Sequence, residues 1–464
     1  MNTSTKSSTA TERAELVVVG GGTAGAFAAA TAADAGLDVV LLERKSKAEA
    51  GQIACGDAIK GKTSFPNVID LEYLKEESFT NQNIQRALFR NPLEAQELEV
   101  TFDSNGTVLD RKRFGEVLLE EAERAGATIE YNTVVSDVLQ EGSQITGVRG
   151  KQADEPITYT ADVTIDAAGT LSILQDKADF TGTTFDTNVQ YSQFCSAYRE
   201  VIEVPEPVEW DDAIVFKPTE ELGYLWYFPR SPTEINVGLG FQMTEPPMNL
   251  VDVLNRELRS QSIFDGAVVK NKLGAALPTR RPYDSAVAPG YIAVGDAAGH
   301  VNPSTGGGIT GAASAGYWAA EQAIDAISDG DVGEDAFWEY NHRVMTDFGK
   351  RFAAIDLYNI WATGYDVETL AELVASFPGQ QLADAISGSG TPSMGLWLKL
   401  KTLISTVGHW AELRELYRVR KLAHELSAQY ETYPTDRSAF EEWQTERDSI
   451  MDDFYSVCEA ESKY

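Results

Sequence analysis

Residues 16–43, LVVVGGGTAGAFAAATAADAGLDVVLLE, decide how the rest of the chain is read. Leu16 to Val19 is a short apolar run that reads as a buried strand. Gly20, Gly22 and Gly25 follow in the spacing G-x-G-x-x-G, and an Ala-rich helix runs to about Gly36. Asp38 to Leu42 is the next strand, and it ends in Glu43. The glycines have separate tasks. Gly20 permits a tight turn, Gly22 lets a pyrophosphate reach backbone N–H groups, and Gly25 brings helix and strand together. Glu43 lies about 20 residues further on, where a carboxylate holds ribose hydroxyls and repels a 2′-phosphate. A lone G-x-G-x-x-G is a weak signal. The complete strand, turn, helix, strand and acid implies a bound adenine dinucleotide.

A second stretch, residues 291–316, YIAVGDAAGHVNPSTGGGITGAASAG, has the same grammar. Tyr291 to Val294 reads as a strand, Gly295-Asp296 ends it, and Gly306-Gly307-Gly308 opens an Ala- and Gly-rich helix. Asp296 at the strand end can accept hydrogen bonds from a polyol. A nicotinamide enzyme rarely needs a second such turn. FAD does, because its ribityl chain and ring extend well beyond the first βαβ unit, so the pair of stretches favours FAD.

The composition bounds the remaining choices. A chain of 464 residues is long enough for two or three domains, and 43% hydrophobic content is that of a folded protein. The 71 Asp and Glu against 38 Lys and Arg give a net charge of -33, spread along the whole length. That surface suits a protein kept soluble in a salt-rich cytoplasm, and it disfavours nucleic acid as a partner. Cys55, Cys195 and Cys458 are odd in number and far apart, so neither a disulfide framework nor a metal site is expected, and the compartment reads as reducing and cytoplasmic. Residues 1–14 read as a disordered leader, and the Gly-rich 16–36 is a nucleotide fingerprint rather than a membrane span. The four histidines are scattered; His300 lies in the second turn, where it either touches a cofactor or serves the turn's own hydrogen bonding.

Runs at Gln190–Tyr198, Ala213–Lys217, Tyr224–Phe228 and Glu234–Phe241 alternate as strands of a mostly antiparallel sheet. Period-two alternation puts Tyr224, Trp226 and Phe228 on one face. Phe337–Ile360 has helical spacing, Gly379–Ser393 breaks it, and 394–424 is locally basic and rich in Trp and Leu. That last stretch suits either an anionic membrane surface or a helix closing an apolar pocket. The acidic, aromatic tail after Tyr430 carries no readable role.

Several motifs together resemble a known group. They are the first glycine turn, Asp110-Arg111-Lys112-Arg113-Phe114 with a Leu-rich helix behind it, Asp166-Ala167-Ala168-Gly169, and Gly295 through Ile309. These are similar to the FAD-binding fold of p-hydroxybenzoate hydroxylase. Cys55-Gly56-Asp57-Ala58 and Tyr224-Leu225-Trp226-Tyr227-Phe228-Pro229, the latter similar to a Y-x-W-x-F-P motif, narrow the resemblance to geranylgeranyl reductases, in particular the archaeal digeranylgeranylglycerophospholipid reductases. The likeness covers roughly residues 15–430.

The resemblance implies an α/β plus α+β architecture. A discontinuous Rossmann-like FAD-binding domain would hold 15–179 and 276–336, an antiparallel substrate domain 180–275, and a helical region 337–464. It also implies roles. Gly20, Gly22, Ala24, Gly25 and Glu43 would hold the adenosine diphosphate part, Val135, on a strand Ile129 to Val138, the adenine, and Arg111 a phosphate with Arg113 assisting. Cys55, Gly56 and Ala58 would lie along the flavin. Asp296 would bind the ribityl chain, with Gly308 and Ile309 presenting N–H groups to the flavin's N1/O2 edge. Tyr224, Trp226 and Phe228 would wall a prenyl pocket.

The reaction so implied is saturation of C=C bonds in geranylgeranyl chains of an archaeal glycerophospholipid precursor. Hydride would come from reduced flavin, with a proton delivered nearby; Cys55 is the candidate beside the reacting bond, and a tyrosine or water stands behind it. No second G-x-G-x-x-G unit follows a strand, so the reductant is expected from outside: ferredoxin, a reduced deazaflavin or NAD(P)H. The location implied is cytoplasmic, with peripheral contact at the membrane through 394–424. Two rival readings share the scaffold, a flavin monooxygenase or halogenase and a non-catalytic prenyl-binding carrier.

Overall fold

The computed structural model describes residues 10–90, 97–219, 223–243, 249–366, 368–370, 410–458 and 460–464. Within them the apolar runs form a six-stranded sheet in the order Val287–Ala288, Tyr291–Ala293, Val163–Asp166, Leu16–Val19, Val39–Leu42, Thr128–Glu130. All pairings but the first are parallel. Leu16–Val19 and Val39–Leu42 are buried at every position, as a parallel sheet covered on both faces requires. The helices Thr23–Asp34 and Ile309–Asp329 start at the ends of Leu16–Val19 and of the turn after Tyr291–Ala293. They also pack on each other. A Cβ on Gly316 would lie 2.1 Å from the Ala24 carbonyl oxygen, so the contact exists only because that position has no side chain.

A second sheet of four strands runs Ala10–Arg13, Glu155–Thr160, Gln144–Gln152, Thr133–Glu141. It corrects two expectations. The end of the presumed leader is ordered: Ala10–Arg13 pairs in parallel with Glu155–Thr160, and Arg13 holds Asp162 at 2.9 Å. Residues 1–9 lie outside the described residues. The single strand expected over Ile129–Val138 is two strands in two sheets. Asn132 turns the chain with φ +56°, a conformation Asn tolerates better than most residues, and Val135 falls on the edge strand Thr133–Glu141.

The third sheet has eight strands in the order Val268–Pro278, Phe194–Glu203, Glu234–Gln242, Gly223–Pro229, Ala213–Thr219, Phe79–Arg90, Glu97–Leu109, Ala58–Ile59. It crosses the expected 180–275 boundary. Phe79–Arg90 joins Ala213–Thr219 by parallel pairing, and with it Glu97–Leu109 and Ala58–Ile59 enter the sheet. Periodicity shows a strand but not its partner, so this long-range pairing was not readable.

The helical segment expected over Phe337–Ile360 is Trp338–Val344, a π turn at Met345–Gly349, and Lys350–Ala362. Gly379–Ser393 and residues 394–409, with Lys399 and Lys401, lie outside the described residues. Helices Trp410–Glu431 and Phe440–Val457 follow, and the tail after them turns back into the fold. Lys463 Nζ sits 2.6 Å from Asp356, the Arg281 N–H donates to the Tyr464 hydroxyl at 2.9 Å, and the Arg281 guanidinium covers the Tyr464 ring at 3.7 Å. Among the described residues no helix is long and apolar enough to cross a membrane.

The Gly316–Ala24 contact generates a test. Gly316→Ala should destabilise the fold by about 1–3 kcal/mol through overpacking, read from the denaturation midpoint, and should weaken cofactor retention in the same step.

Candidate active site

The first glycine turn is shaped around a void. Gly20 has φ +106°, and a Cβ there would lie 2.3 Å from the Ala167 carbonyl oxygen; one on Gly25 would lie 1.9 Å from that of Gly20. A Cβ on Gly22 would meet nothing within 4 Å. Gly22 therefore faces open space at the start of a helix that has no side-chain cap, where backbone N–H groups lack intrahelical partners. Glu43, buried below, accepts from the Gly21 and Lys45 N–H groups, both at 2.8 Å. Arg111 opens the helix Arg111–Ala125, which Asp110 caps by accepting from the Lys112 and Arg113 N–H groups. The Arg111 side chain is 3% exposed; its Nη2 donates to Thr23 Oγ1 at 2.9 Å, while its Nη1 is buried with no partner. Open backbone, an uncapped helix start and an orphaned guanidinium nitrogen fit a pyrophosphate. Arg113 does not share this site. It turns to Glu77, Glu120 and Tyr73 in a surface cluster.

The second turn is held by its own polar groups. Asn302 Oδ1 accepts from the Ser304 and Thr305 N–H groups, and Gly308 precedes the helix Ile309–Asp329 without a side-chain cap. The Asp296 carboxylate lies over this helix start, 3.6 Å from where a Gly308 Cβ would be, with Thr170 Oγ1 3.5 Å from its other oxygen. Burial pushes Asp296 up to about 6, against the lowering effect of Thr170. His300 belongs to the turn rather than to a ligand. Its Nδ1 accepts from the Gly295 N–H at 3.1 Å, its ring packs edge-on against Phe348, and burial lowers it to about 3, so it is neutral.

The Cys55 loop and the aromatic strand meet. A Cβ on Gly56 would lie 2.8 Å from the Phe228 ring and 3.5 Å from Trp226 Nε1, so the loop backbone lies directly on that wall. Tyr224, Trp226 and Phe228 follow one another along one face at centroid spacings of 6.1 and 6.3 Å, and Phe216 packs edge-on to Tyr224 and Phe228. The Tyr224 hydroxyl donates to the Thr305 carbonyl oxygen at 2.8 Å, which ties the wall to the second glycine turn. Burial, and next the Asp57 carboxylate, push the Cys55 thiol up, so it is a neutral S–H rather than a thiolate.

Sequence reading missed the groups that join these parts. Asn236 is fully buried; its Nδ2 donates to the Cys55 carbonyl oxygen at 2.9 Å and its Oδ1 accepts from Trp226 Nε1 at 2.9 Å. Arg230 pairs with the buried Asp57 at 2.7 Å. A polar Asn in the otherwise apolar run Ile235–Phe241 was the available signal, since buried amides are placed only where partners await them.

Comparison with known proteins bears on the family and the fold. The family of FAD dependent oxidoreductases matches residues 15–221. The digeranylgeranylglycerophospholipid reductase of Methanothrix thermoacetophila is 31% identical over 354 residues, 74% of this chain and 85% of the relative. That of Sulfolobus acidocaldarius is 26% identical over 455 residues, 95% and 98% of the two chains. Among solved structures, a geranylgeranyl bacteriochlorophyll reductase-like protein from Thermoplasma acidophilum has a TM-score of 0.72 at 21% identity, covering 88% of this chain and all of its own. The flavin-dependent brominase Bmp2 has a TM-score of 0.60 at 15% identity, covering 96% of this chain and 100% of its own. At these identities the two structures speak for the fold alone. The identity and coverage of the first relative settle the assignment: the chain belongs to the digeranylgeranylglycerophospholipid reductase family, with FAD as its cofactor.

Proposed function

We propose that this chain is an FAD-dependent reductase that saturates C=C bonds of geranylgeranyl chains on an archaeal glycerophospholipid precursor. The observation that carries the reading is the junction at Gly56, Tyr224 and Thr305, where a thiol-bearing loop, an aromatic wall and the second glycine turn meet. FAD, when bound, supplies the hydride. The residues hold it in order. Gly20, Gly22, Ala24 and Gly25 receive the pyrophosphate, Arg111 its charge and Glu43 the ribose. The edge strand at Val135 would receive the adenine, and Cys55, Gly56 and Ala58 would flank the flavin. Asp296 would accept from the ribityl hydroxyls, and the N–H groups of Gly308 and Ile309 would meet the ring's N1/O2 edge, where the helix dipole favours negative charge.

Tyr224, Trp226 and Phe228 give the prenyl chain an apolar wall, binding it by burial at about 25 cal/mol per Å² of apolar surface. An isolated trisubstituted alkene has no carbonyl to polarise it. Hydride addition at one carbon therefore needs a proton at the other, and Cys55 releases it from sulfur and regains one from solvent. The electrons enter from an external donor, a ferredoxin, reduced deazaflavin or NAD(P)H. The helix Trp410–Glu431 buries Val419, Leu422 and Ala423 and leaves Arg414, Arg418 and Lys421 exposed, which supports peripheral contact with an anionic membrane face.

Three measurements test these assignments. Protein reduced with dithionite without oxygen and given unsaturated archaeal lipid should yield a product heavier by two hydrogens per bond; unchanged lipid mass would discard the reading. Cys55→Ala should keep FAD while turnover falls about 10²- to 10⁴-fold; unimpaired turnover removes Cys55 from the mechanism. The Asp296 carboxylate accepts from hydroxyls most strongly when ionised, and its value in the free protein is raised to about 6. FAD affinity should thus be full above that pH and fall as pH drops through it. Asp296→Asn should weaken FAD binding about tenfold or more and flatten the profile.

A further inference from the structure

Asp57 is the least explained group beside the site. Its side chain is fully buried and its backbone has φ +70°, a region that strains any residue with a Cβ. Its Oδ2 accepts from Arg230 Nη2 at 2.7 Å, Arg230 Nε at 3.1 Å and Asn236 Nδ2 at 2.5 Å, while its Oδ1 is buried with no partner. Its N–H donates to Cys55 Sγ at 3.3 Å. A buried ion pair is a poor way to gain stability, because desolvation of both charges opposes their attraction. A strained, incompletely satisfied carboxylate two residues from the thiol therefore calls for a reason in chemistry. Asn236 supplies the other half. Its one amide binds the Cys55 carbonyl oxygen, the Asp57 carboxylate and Trp226 Nε1, so both ends of Cys55-Gly56-Asp57 are fastened to the strands that carry the aromatic wall.

We propose that Asp57 and Asn236 are positioning residues for the reduction: they clamp the Cys55-Gly56-Asp57 turn so that the thiol is aimed at an alkene lying along the Tyr224–Phe228 wall. The inference rests on the reading of Cys55 given above. The carboxylate opposes thiolate formation between turnovers, whereas the positive charges of Arg111 and Arg199 favour it. Arg230 and, at 3.9 Å from it, Asp110 stand behind Asp57. Burial does most to keep the proton on the sulfur and Asp57 adds to it, while Asn236 fixes the aim of the sulfur. A clamp of this kind couples the wall to the proton donor through one side chain.

The test uses the full-length holoprotein and the S–H vibrational band that disappears in Cys55→Ala. Asp57→Asn keeps the side chain's shape and removes its charge. It should retain FAD and leave KM for the lipid near wild type. It should also lower kcat at least tenfold and move loss of the S–H band to lower pH. Asn236→Ala, which frees the Cys55 carbonyl, should lower kcat with KM unchanged, and it carries the test if Asp57→Asn does not fold. An S–H band lost at the wild-type pH in Asp57→Asn, or kcat within twofold of wild type in both variants, overturns the proposal. Should Cys55→Ala turn over at the wild-type rate, the role of Cys55 falls and the clamp's part in the reduction falls with it; slow turnover in Cys55→Ala beside wild-type kcat in Asp57→Asn and Asn236→Ala overturns the clamp alone.

Discussion

Two helices must begin beside one another, and the fold depends on the absence of side chains where they do. Thr23–Asp34 and Ile309–Asp329 lie far apart in the sequence, yet Gly316 meets the Ala24 backbone, and Gly295 brings its α-carbon within a methyl's reach of the Ala24 side chain. Gly25 closes on Gly20 in the same region. Neither helix start carries a side-chain cap. Capping is ordinarily worth about 1 kcal/mol, so two uncapped starts facing one region leave donors for a ligand to satisfy. Close packing and an anion site are thus one arrangement.

Among the contacts that join the eight-stranded sheet to that arrangement, two lie where chemistry is placed. Tyr224 reaches the Thr305 carbonyl, and the loop from Cys55 to Asp57 lies on Phe228 and Trp226. Each contact uses an atom that could not be exchanged freely. A larger residue at Gly56 would strike the aromatic ring, and a Phe at Tyr224 would leave the Thr305 oxygen without its donor. The wall's two polar atoms, the Tyr224 hydroxyl and Trp226 Nε1, are both bonded within the protein, which leaves an apolar surface that suits a substrate with few handles.

Much of this was legible before any coordinates. The Gly20–Gly25 spacing, Glu43, and the second turn at Asp296 carry their own physics, because glycine is required wherever backbone meets backbone or phosphate. The aromatic face at Tyr224, Trp226 and Phe228 follows from period-two alternation. What could not be read is pairing across distance. Nothing in Phe79–Arg90 names Ala213–Thr219 as its neighbour, so the sheet's true extent was hidden. Asn132 concealed a change of sheet within what looked like one strand. Arg113 resembled its neighbour Arg111 in sequence, and only the helix geometry turns one inward and the other to Glu120. Asp57 and Asn236 were visible as letters but not as partners.

In the proposed reaction the cofactor held by these two turns gives its electrons to an alkene lying along the Tyr224–Phe228 wall. Anaerobic stopped-flow absorbance tests it most directly. Protein with its flavin fully reduced, mixed with unsaturated archaeal lipid and no oxygen, should recover the oxidised flavin spectrum in step with lipid saturation, one flavin per double bond. Flavin that stays reduced with the lipid present and is reoxidised only when oxygen is admitted would contradict the account.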